Sequence, residues 1–139
     1  MRPALSSLRR INRLQVRQMR RALDPHGYVG VMHLIVLYAR KHPGASQEEI
    51  ACFFGLDKAS LARDARRLEE RGHIVRRVNE ADRRQNQLFL TEAGQAFAQV
   101  IDDIDRDIQR RMSAGFMQEE WQTLSAPLSR VEQNLTAPR

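Results

Sequence analysis

The first forty residues carry two different hydrophobic patterns. From Leu5 to Leu23 apolar residues recur every three to five positions and arginines fill the positions between them, which predicts an amphipathic helix with an arginine-rich outer face. The segment Asp24–Gly27 contains a proline and a glycine and is predicted to break that helix. Tyr28–Arg40 is mostly apolar and predicts a second, well-buried helix, which the His-Pro-Gly of residues 42–44 ends.

The next segment predicts two short helices joined by a tight connection. Residues 46–49, Ser-Gln-Glu-Glu, have the spacing of a capping box, in which the serine caps backbone N–H groups and the glutamate reaches back. The helix that follows is predicted to end at Phe54, with Gly55 in its C-terminal cap. Asp57 is predicted to cap a second helix that runs to about Arg71. Two helices joined so closely have the form of a helix-turn-helix.

The remaining pattern predicts a β-hairpin and two further helices. Ile74–Val78 and Gln87–Leu90 are rich in β-branched, aromatic and leucine residues, which favours two antiparallel strands. Thr91 is expected to cap a long helix over Glu92–Ala114, and a final helix is predicted over Gln118–Leu135. The predicted fold class is therefore mainly α with a small β-hairpin wing.

Composition narrows the class of protein. A chain of 139 residues fits one domain, and no apolar run approaches the ~18 residues of a membrane span. The N-terminus lacks the apolar centre of a signal peptide, so a cytoplasmic protein is expected. A single cysteine, Cys52, excludes an internal disulfide framework. There is no phosphate-cradling glycine loop, nucleophile motif or paired-carboxylate signature, so we expect no enzyme.

Charge is distributed unevenly along the chain. The net charge is +6 and the sequence pI about 10.6, which suggests a polyanionic partner. Residues 1–23 contain seven arginines and no acid, giving +7, whereas residues 92–139 contain five bases and eight acids, giving −3. The helix predicted after Asp57 and the hairpin lie in a second basic segment.

The helix after Asp57 has one apolar stripe and one polar face. Leu61, Ala65 and Leu68 share the stripe that is expected to pack on the body. The opposite face is small near its N-terminus and basic further along; it comprises Ala59, Arg63, Arg66 and Glu70, flanked by Ser60, Ala62 and Arg67. Such a face suits the major groove of DNA, where small side chains allow close approach and arginine reads guanine. A solvated, charged helix face is the alternative.

The hairpin tip concentrates charge in Asp82-Arg83-Arg84. Arginines at a hairpin tip can lie along a DNA backbone or enter a minor groove, where the potential is most negative. The aspartate lowers the attraction to phosphate, so its use is expected to be geometric. One interpretation is that Asp82 holds Arg84 in a defined pose. The other is a simple Asx turn, in which Asp82 bonds local backbone. Both can hold at once.

The order of elements and two stretches of sequence resemble the MarR family of bacterial winged-helix transcription regulators. The stretches are LDKASLARDARRLEERGHIVRR at 56–77 and DRRQNQLFLTEAG at 82–94. They carry Leu-Glu-x-x-Gly at 68–72, Asp-x-Arg at 82–84 and Leu-Thr-x-x-Gly at 90–94. By element order the resemblance covers nearly the whole chain.

The resemblance implies an architecture and a function. It implies one winged helix-turn-helix domain over 1–139, with dimerisation helices at about 1–24 and 95–139 and a DNA-binding lobe at about 28–92. The implied function is that of a homodimeric regulator binding double-stranded, pseudo-palindromic DNA, acting as a ligand-responsive repressor. A winged-helix protein-interaction module without specific DNA binding is the alternative.

The resemblance also assigns residues to DNA contacts. Arg84 is implied to reach the minor groove with Asp82 as its positioner, and Arg83 is a candidate for phosphate. Within the recognition helix, Ser60, Ala62 and Arg63 are implied to face bases, and Arg67 is implied to lie nearer the DNA backbone. The full implied DNA-binding set is Lys58, Ser60, Ala62, Arg63, Arg66, Arg67, Asp82, Arg83 and Arg84.

Three features depart from the family pattern or extend it. Asp64 stands where the family usually has an apolar residue, so it requires a partner such as Arg67 or a wing arginine. Pro127 is unusual in a final dimerisation helix and is expected to kink it. The long helix carries four aspartates that a dimer is expected to bring near the arginines of the first helix, namely Asp102, Asp103, Asp105 and Asp107.

Candidate sensing residues are few. Family members often release DNA on binding small aromatic or phenolic compounds, and here the cleft wall is expected to include Tyr28, Met32, His33 and Leu37, although such a stripe also suits a core. Cys52 is either a redox sensor or an inert thiol. The four histidines, His26, His33, His42 and His73, lack metal-ligand spacing, so no metal or cofactor is expected.

Overall fold

The chain folds into six α-helices and a small sheet over residues 2–138, which are the residues that this computed structural model describes. This confirms the predicted fold class. The elements are α1 (Arg2–Leu23), a 3₁₀ turn (Asp24–His26), α2 (Met32–Lys41), β1 (Ala45–Ser46), α3 (Gln47–Phe54), α4 (Lys58–Glu70), β2 (Ile74–Val78), β3 (Asn86–Leu90), α5 (Glu92–Met112) and α6 (Gln118–Thr136).

Two elements differ most from the prediction, whereas the other helices and strands differ by at most a few residues at an end. The second helix begins at Met32 and not at Tyr28, because Gly30 adopts a positive φ of 55° that a helix does not contain. A third strand, β1, was missed because two residues are too short to show a pattern. The sheet order is β1-β3-β2, antiparallel throughout, with Ala45 opposite Leu88.

The helix-turn-helix forms where its capping residues predicted it. The Ser46 hydroxyl accepts the Glu49 N–H at 3.0 Å and so supplies the serine half of the capping box at the start of α3. Gly55 ends α3 with a φ of 64°. Asp57 caps α4 by accepting the Ser60 N–H at 2.9 Å. The predicted connection between the two helices is therefore confirmed.

The chain divides into two units, one up to Asp105 and one from Arg106. The core of the first unit contains the predicted α4 stripe of Leu61, Ala65 and Leu68, all fully buried. Helices α2, α3 and α5 and the sheet contribute the other largest fully buried side chains, which are Met32, Ile35, Val36, Ile50, Ile74, Leu88 and Ile101. α4 is thus anchored by one face, and its other face is left exposed.

Asp102 pairs within the chain. Its carboxylate accepts two hydrogen bonds from Arg40 of α2, at 2.7 and 2.9 Å, in the bidentate geometry that arginine favours. The approach of Asp102 to the α1 arginines of a second subunit stays a prediction; within its own chain, the carboxylate already has Arg40 as a partner. Asp107 bonds Arg111 one turn further along, at 3.2 Å.

The second unit contains the end of α5 and the whole of α6. α6 runs as one helix with Pro127 inside it, and its first turn is capped by Glu120, which accepts the Met117 N–H at 2.8 Å. Along α6, Leu124, Leu128, Val131 and Leu135 are exposed. Over residues 2–138, no helix has the length and apolar character that crossing a membrane requires.

Candidate nucleic-acid interface

The outer face of α4 is presented as the sequence predicted. Ala59, Arg63 and Arg66 are exposed, and Ser60 and Ala62 are half-buried. Hydrogen bonds from the Ser60 backbone and hydroxyl lower the pKa of Asp57, so the capping carboxylate is ionised at neutral pH. The Ser60 hydroxyl also accepts a hydrogen bond from Arg63 at 3.2 Å. The first turn of the helix is therefore ordered from its cap to its first arginine.

The wing tip is closed by hydrogen bonds of its own. Asn79 and Gln85 bond across the hairpin at 3.0 Å, and the Gln85 N–H bonds the Asp82 carbonyl at the same distance. The Asp82 carboxylate accepts the backbone N–H of Arg84 at 3.1 Å. This is an Asx turn, one of the two interpretations that the sequence left open. Asp82 thereby shapes the loop segment from which Arg84 projects.

A cleft lies between the wing and the helix-turn-helix. It has a volume of about 200 Å³ and lies between the start of α3, the N-terminal half of α4 and the wing. Lys58, Ala62 and Arg84 line it, so three residues of the predicted DNA-binding set border one space. The other lining residues were not predicted as DNA contacts and are all polar or charged: Ser46, Gln47, Glu48, Gln85 and Asn86. The polar run Gln-Asn-Gln at 85–87, directly after Asp-x-Arg, was the available signal for the wing residues.

An ion pair fixes the wing to α4. Arg76 of β2 bonds both carboxylate oxygens of Glu69, at 2.9 and 3.1 Å, and its third nitrogen reaches Gln47 at 3.5 Å. The bonds from Arg76 lower the pKa of Glu69, and the same pair raises the pKa of Arg76. Sequence reasoning missed Arg76, although Glu69 belongs to the Leu-Glu-x-x-Gly motif. The pair holds the wing strand at a set position along α4.

Arg67 and Asp64 are partners, as the departure from the family pattern required. Arg67 Nη1 donates to the Asp64 carboxylate at 2.8 Å. A second partner, the Val31 N–H at 2.9 Å, was not predicted, because it comes from a loop 33 residues away. Of the implied DNA-binding residues, Arg67 is thus the one tied to a buried acid.

An aromatic cluster supports the base of the wing. The Tyr28 hydroxyl and His73 Nδ1 are 2.6 Å apart, and the Tyr28 ring stacks on Phe97 with centroids 4.0 Å apart. Arg71 lies over the Tyr28 ring and donates to the His26 carbonyl at 2.6 Å. Burial raises the pKa of Tyr28 well above its usual range, and burial with nearby Arg71 lowers the pKa of His73.

Two histidines with lowered pKa values, one of them in this cluster, lead us to expect that the protein loses thermal stability in mild acid. His73 and the more deeply buried His33 both have pKa values below the ordinary 6.5, so the unfolded chain binds protons first as the pH falls through that value. The melting temperature should therefore fall by several degrees between pH 7.5 and 5.5. Scanning calorimetry across that range tests this.

Two variants localise the pH effect. His73→Gln does not titrate and can still bond the Tyr28 hydroxyl, so its melting temperature should depend less steeply on pH. His42→Gln, at an exposed site, should keep the wild-type slope. Equal slopes for His73→Gln and wild type would show that His73 contributes nothing to the acid sensitivity.

The residues proposed for an effector cleft separate into two environments. Tyr28 and Met32 are buried in the core, 3% and 1% exposed, and Leu37 packs half-buried against it. His33 lines a cavity of about 350 Å³ between α1 and the start of α2. Its other lining residues are Asn12, Gln15, Val16, Met19, Arg20, Gly30, Val31 and Leu34. Tyr28 is held in the core because its hydroxyl is bonded to His73 and its ring is stacked.

The remaining sensing candidates do not line the cavity beside His33. Cys52 is an exposed free thiol on α3, next to the exposed ring of Phe53. Within the described part of the chain, no three His, Cys, Asp or Glu side chains are grouped so that they could hold a metal ion.

Comparison with known proteins agrees with this geometry. The sequence model of the MarR family matches residues 33–85, which span α2, the helix-turn-helix and the wing tip. The HTH-type transcriptional regulator YybA of Bacillus subtilis (strain 168) is 30% identical over 104 residues, which cover 75% of this chain and 68% of that protein.

Solved structures show the same fold. A crystal structure of MarR superposes with a TM-score of 0.84 at 26% identity, covering 94% of this chain and 88% of that one. A MarR transcriptional regulator from Methanosarcina mazei Go1 has the same TM-score at 20% identity, covering 96% of each chain. The fold and the helix-turn-helix with its wing define a winged-helix transcriptional regulator. The chain belongs to the MarR family, as its motifs indicated.

Proposed function

We propose that the protein is a sequence-specific double-stranded DNA-binding regulator that acts in the cytoplasm as a homodimer. The observation that carries this proposal is the cleft in which wing residue Arg84 and α4 residues Lys58 and Ala62 border one space. A recognition helix and a wing that meet there can engage a major groove and the adjacent minor groove together. The proposed interface performs no catalysis.

Phosphate contacts supply most of the affinity in this proposal. Arg63, Arg66, Arg83 and Arg84 are exposed, and Lys58 is exposed at the start of α4, 3.6 Å from Glu48. Cations so placed neutralise DNA phosphates and release counterions. In this proposal Ser60, Ala62 and Arg63 read bases and Arg84 enters the minor groove, whereas Arg66, Arg67 and Arg83 position the duplex.

A homodimer accounts for two exposed apolar faces. On α1, Leu5, Ile11 and Val16 belong to the predicted apolar stripe and are each more than two-fifths exposed, and on α6 Leu135 is 82% exposed. Faces of this kind on helices are uncommon in monomers, since burying them is favourable by about 25 cal/mol per Å². We propose that α1, α5 and α6 form the dimer and residues 28–92 the DNA-binding lobe. Asp103 and Asp105 remain candidates for pairing with α1 arginines across it.

A repressor that responds to a small aromatic or phenolic compound is the finer form of the proposal. The cavity beside His33 has apolar walls, from Val16, Met19 and Leu34, and polar groups at Asn12 and Arg20. This combination suits a small ring with a polar substituent. Binding there would change the packing of α1 on α2, and repression would follow from occupying a promoter.

DNA binding across salt concentrations tests the proposal against a protein-interaction module. For a duplex selected by the protein from a random-sequence pool, we expect saturable binding that weakens about 10³-fold or more between 50 and 200 mM salt. An unrelated duplex should bind at least about 10³-fold more weakly. Fluorescence anisotropy measures both. Equal affinity for the two duplexes, or no binding by either, favours the module.

A further inference from the structure

Asp64 is a buried acid in the middle of the recognition helix. It is 4% exposed, and among residues 2–138 it is the one charged side chain in the buried class. It lies beside Leu61, Ala65 and Leu68, on the side of α4 that packs on the body. An ionised carboxylate is costly to bury unless hydrogen bonds and an opposite charge compensate it. Its partners therefore show what the residue does.

The Asp64 carboxylate joins two parts of the fold. One oxygen accepts the Val31 N–H at 2.9 Å, in the turn that starts α2, and the other accepts Arg67 Nη1 at 2.8 Å. Gly30 lies against the carboxylate so closely that an added methyl group would clash with it, and its φ of 55° also favours glycine. The carboxylate is thus held between the start of α2 and a guanidinium on α4.

Arg67 is held from its buried side only. Its side chain is 46% exposed, whereas that of Asp64 is 6% exposed. A guanidinium has five N–H donors in a rigid fork, and Asp64 takes one of them. Ser60, Arg63 and Arg67 line an open cavity of about 580 Å³ beside the N-terminal half of α4. Arg67 therefore has donors left to offer on the surface that the proposed function assigns to DNA.

We infer that Asp64 is a positioning residue for DNA binding, which orients the Arg67 guanidinium toward a DNA phosphate and fixes α4 against the start of α2. The inference rests on the proposed function. Simple charge attraction makes the opposite prediction, because removing a negative charge beside the DNA-facing surface should strengthen binding. The sign of the effect of Asp64→Asn separates the two.

The experiment measures binding of the duplex selected by the wild-type protein, by anisotropy at several salt concentrations. Asp64→Asn keeps the shape of the side chain and an acceptor for the Val31 N–H but loses the ion pair. We expect it to weaken binding about 3- to 10-fold and to lower the salt slope by about one, as Arg67→Ala should. When Arg67→Ala is combined with Asp64→Asn, the double variant should bind less than about twofold more weakly than Asp64→Asn alone, because the two residues act as one unit.

Two further variants complete the test. Arg67→Lys is a surface change that keeps the charge and loses the fork, so it should fold normally and still bind about 3- to 5-fold more weakly. Glu70→Gln removes an exposed acid from the same helix without affecting α2, and should strengthen binding slightly.

Several results would overturn the inference. They are unchanged or tighter binding by Asp64→Asn, full affinity in Arg67→Lys, or additive effects in the double variant. A wild-type protein that selects no duplex would instead refute the proposed function, so the two failures are distinguishable.

Discussion

Replacing Arg84 by alanine is expected to weaken binding to the selected duplex about 10- to 100-fold at physiological salt. Arg84 projects from the Asx turn of the wing, and it lines the cleft that residues at the start of α4 also line. A single guanidinium inserted in a minor groove is desolvated on both sides and meets the strongest negative potential of the duplex. Losing such a contact costs about 1–3 kcal/mol, comparable to one base-specific pair. Anisotropy titrations provide the measurement.

The neighbouring arginine is the matched control. Arg83 is exposed at the same tip and carries the same charge, but it is expected only near phosphate. Arg83→Ala should weaken binding to all duplexes by a few-fold and reduce the salt slope by about one. Equal losses in Arg83→Ala and Arg84→Ala would show that the tip supplies charge without a defined contact.

Asp82 provides a second check on the wing. Asp82→Ala removes a negative charge yet also removes the bond that shapes the loop at Arg84, so binding should weaken. Tighter binding would show that the turn does not position Arg84.

Replacing Gly94 by alanine is expected to lower stability by about 1–3 kcal/mol, the usual cost of overpacking. Ordinary helix propensity predicts the opposite sign, because alanine is about 1 kcal/mol better than glycine inside a helix. Gly94 is buried in the first turn of α5, and an added methyl group would clash with the backbone carbonyl of His73. Thermal unfolding should show a melting temperature several degrees lower.

Hydrogen bonds hold both backbones in place, so neither can move away to relieve the clash. The His73 carbonyl already accepts the Thr91 N–H at 3.0 Å, and the Thr91 hydroxyl bonds the Gly72 carbonyl at 2.5 Å and accepts the Gly94 N–H at 3.1 Å. Moving either backbone would break one of these bonds and displace β2, the first strand of the wing.

Ala93→Gly at the neighbouring exposed site is the control, and should cost only the propensity difference of about 1 kcal/mol. A Gly94→Ala protein that melts at or above the wild-type temperature would show that the two backbones separate at little cost.

Local signals account for most of what the sequence predicted of the fold. Ser46, Gly55 and Asp57 act on backbone groups within a few residues, so their types alone locate the helix ends. The β-branched residues that mark β2 and the apolar stripe that marks α4 are equally local. β1 was missed because its two residues join the sheet by pairing with β3, over forty residues later.

The candidate site was predictable where it depends on motif and not where it depends on distant contacts. Asp82 and Arg84 are two positions apart in the sequence, and the turn between them was one of the expected outcomes. The bonds of Asp64 to Val31 and of Asp102 to Arg40 span 33 and 62 residues. No sequence pattern specifies such partners, although the chemistry of a buried acid showed that Asp64 needed one.

Footprinting of the selected duplex with two probes tests the central proposal most directly, because hydroxyl radicals report the sugars along the minor groove and dimethyl sulfate reports guanine N7 in the major groove. With α4 in the major groove and the wing in the minor groove of each half-site, the wild-type dimer should protect two symmetric regions about one helical turn apart. Each region should be flanked by minor-groove protection that Arg84→Ala removes. A footprint on one side only, or one that Arg84→Ala leaves intact, would contradict the joint use of recognition helix and wing by a dimer.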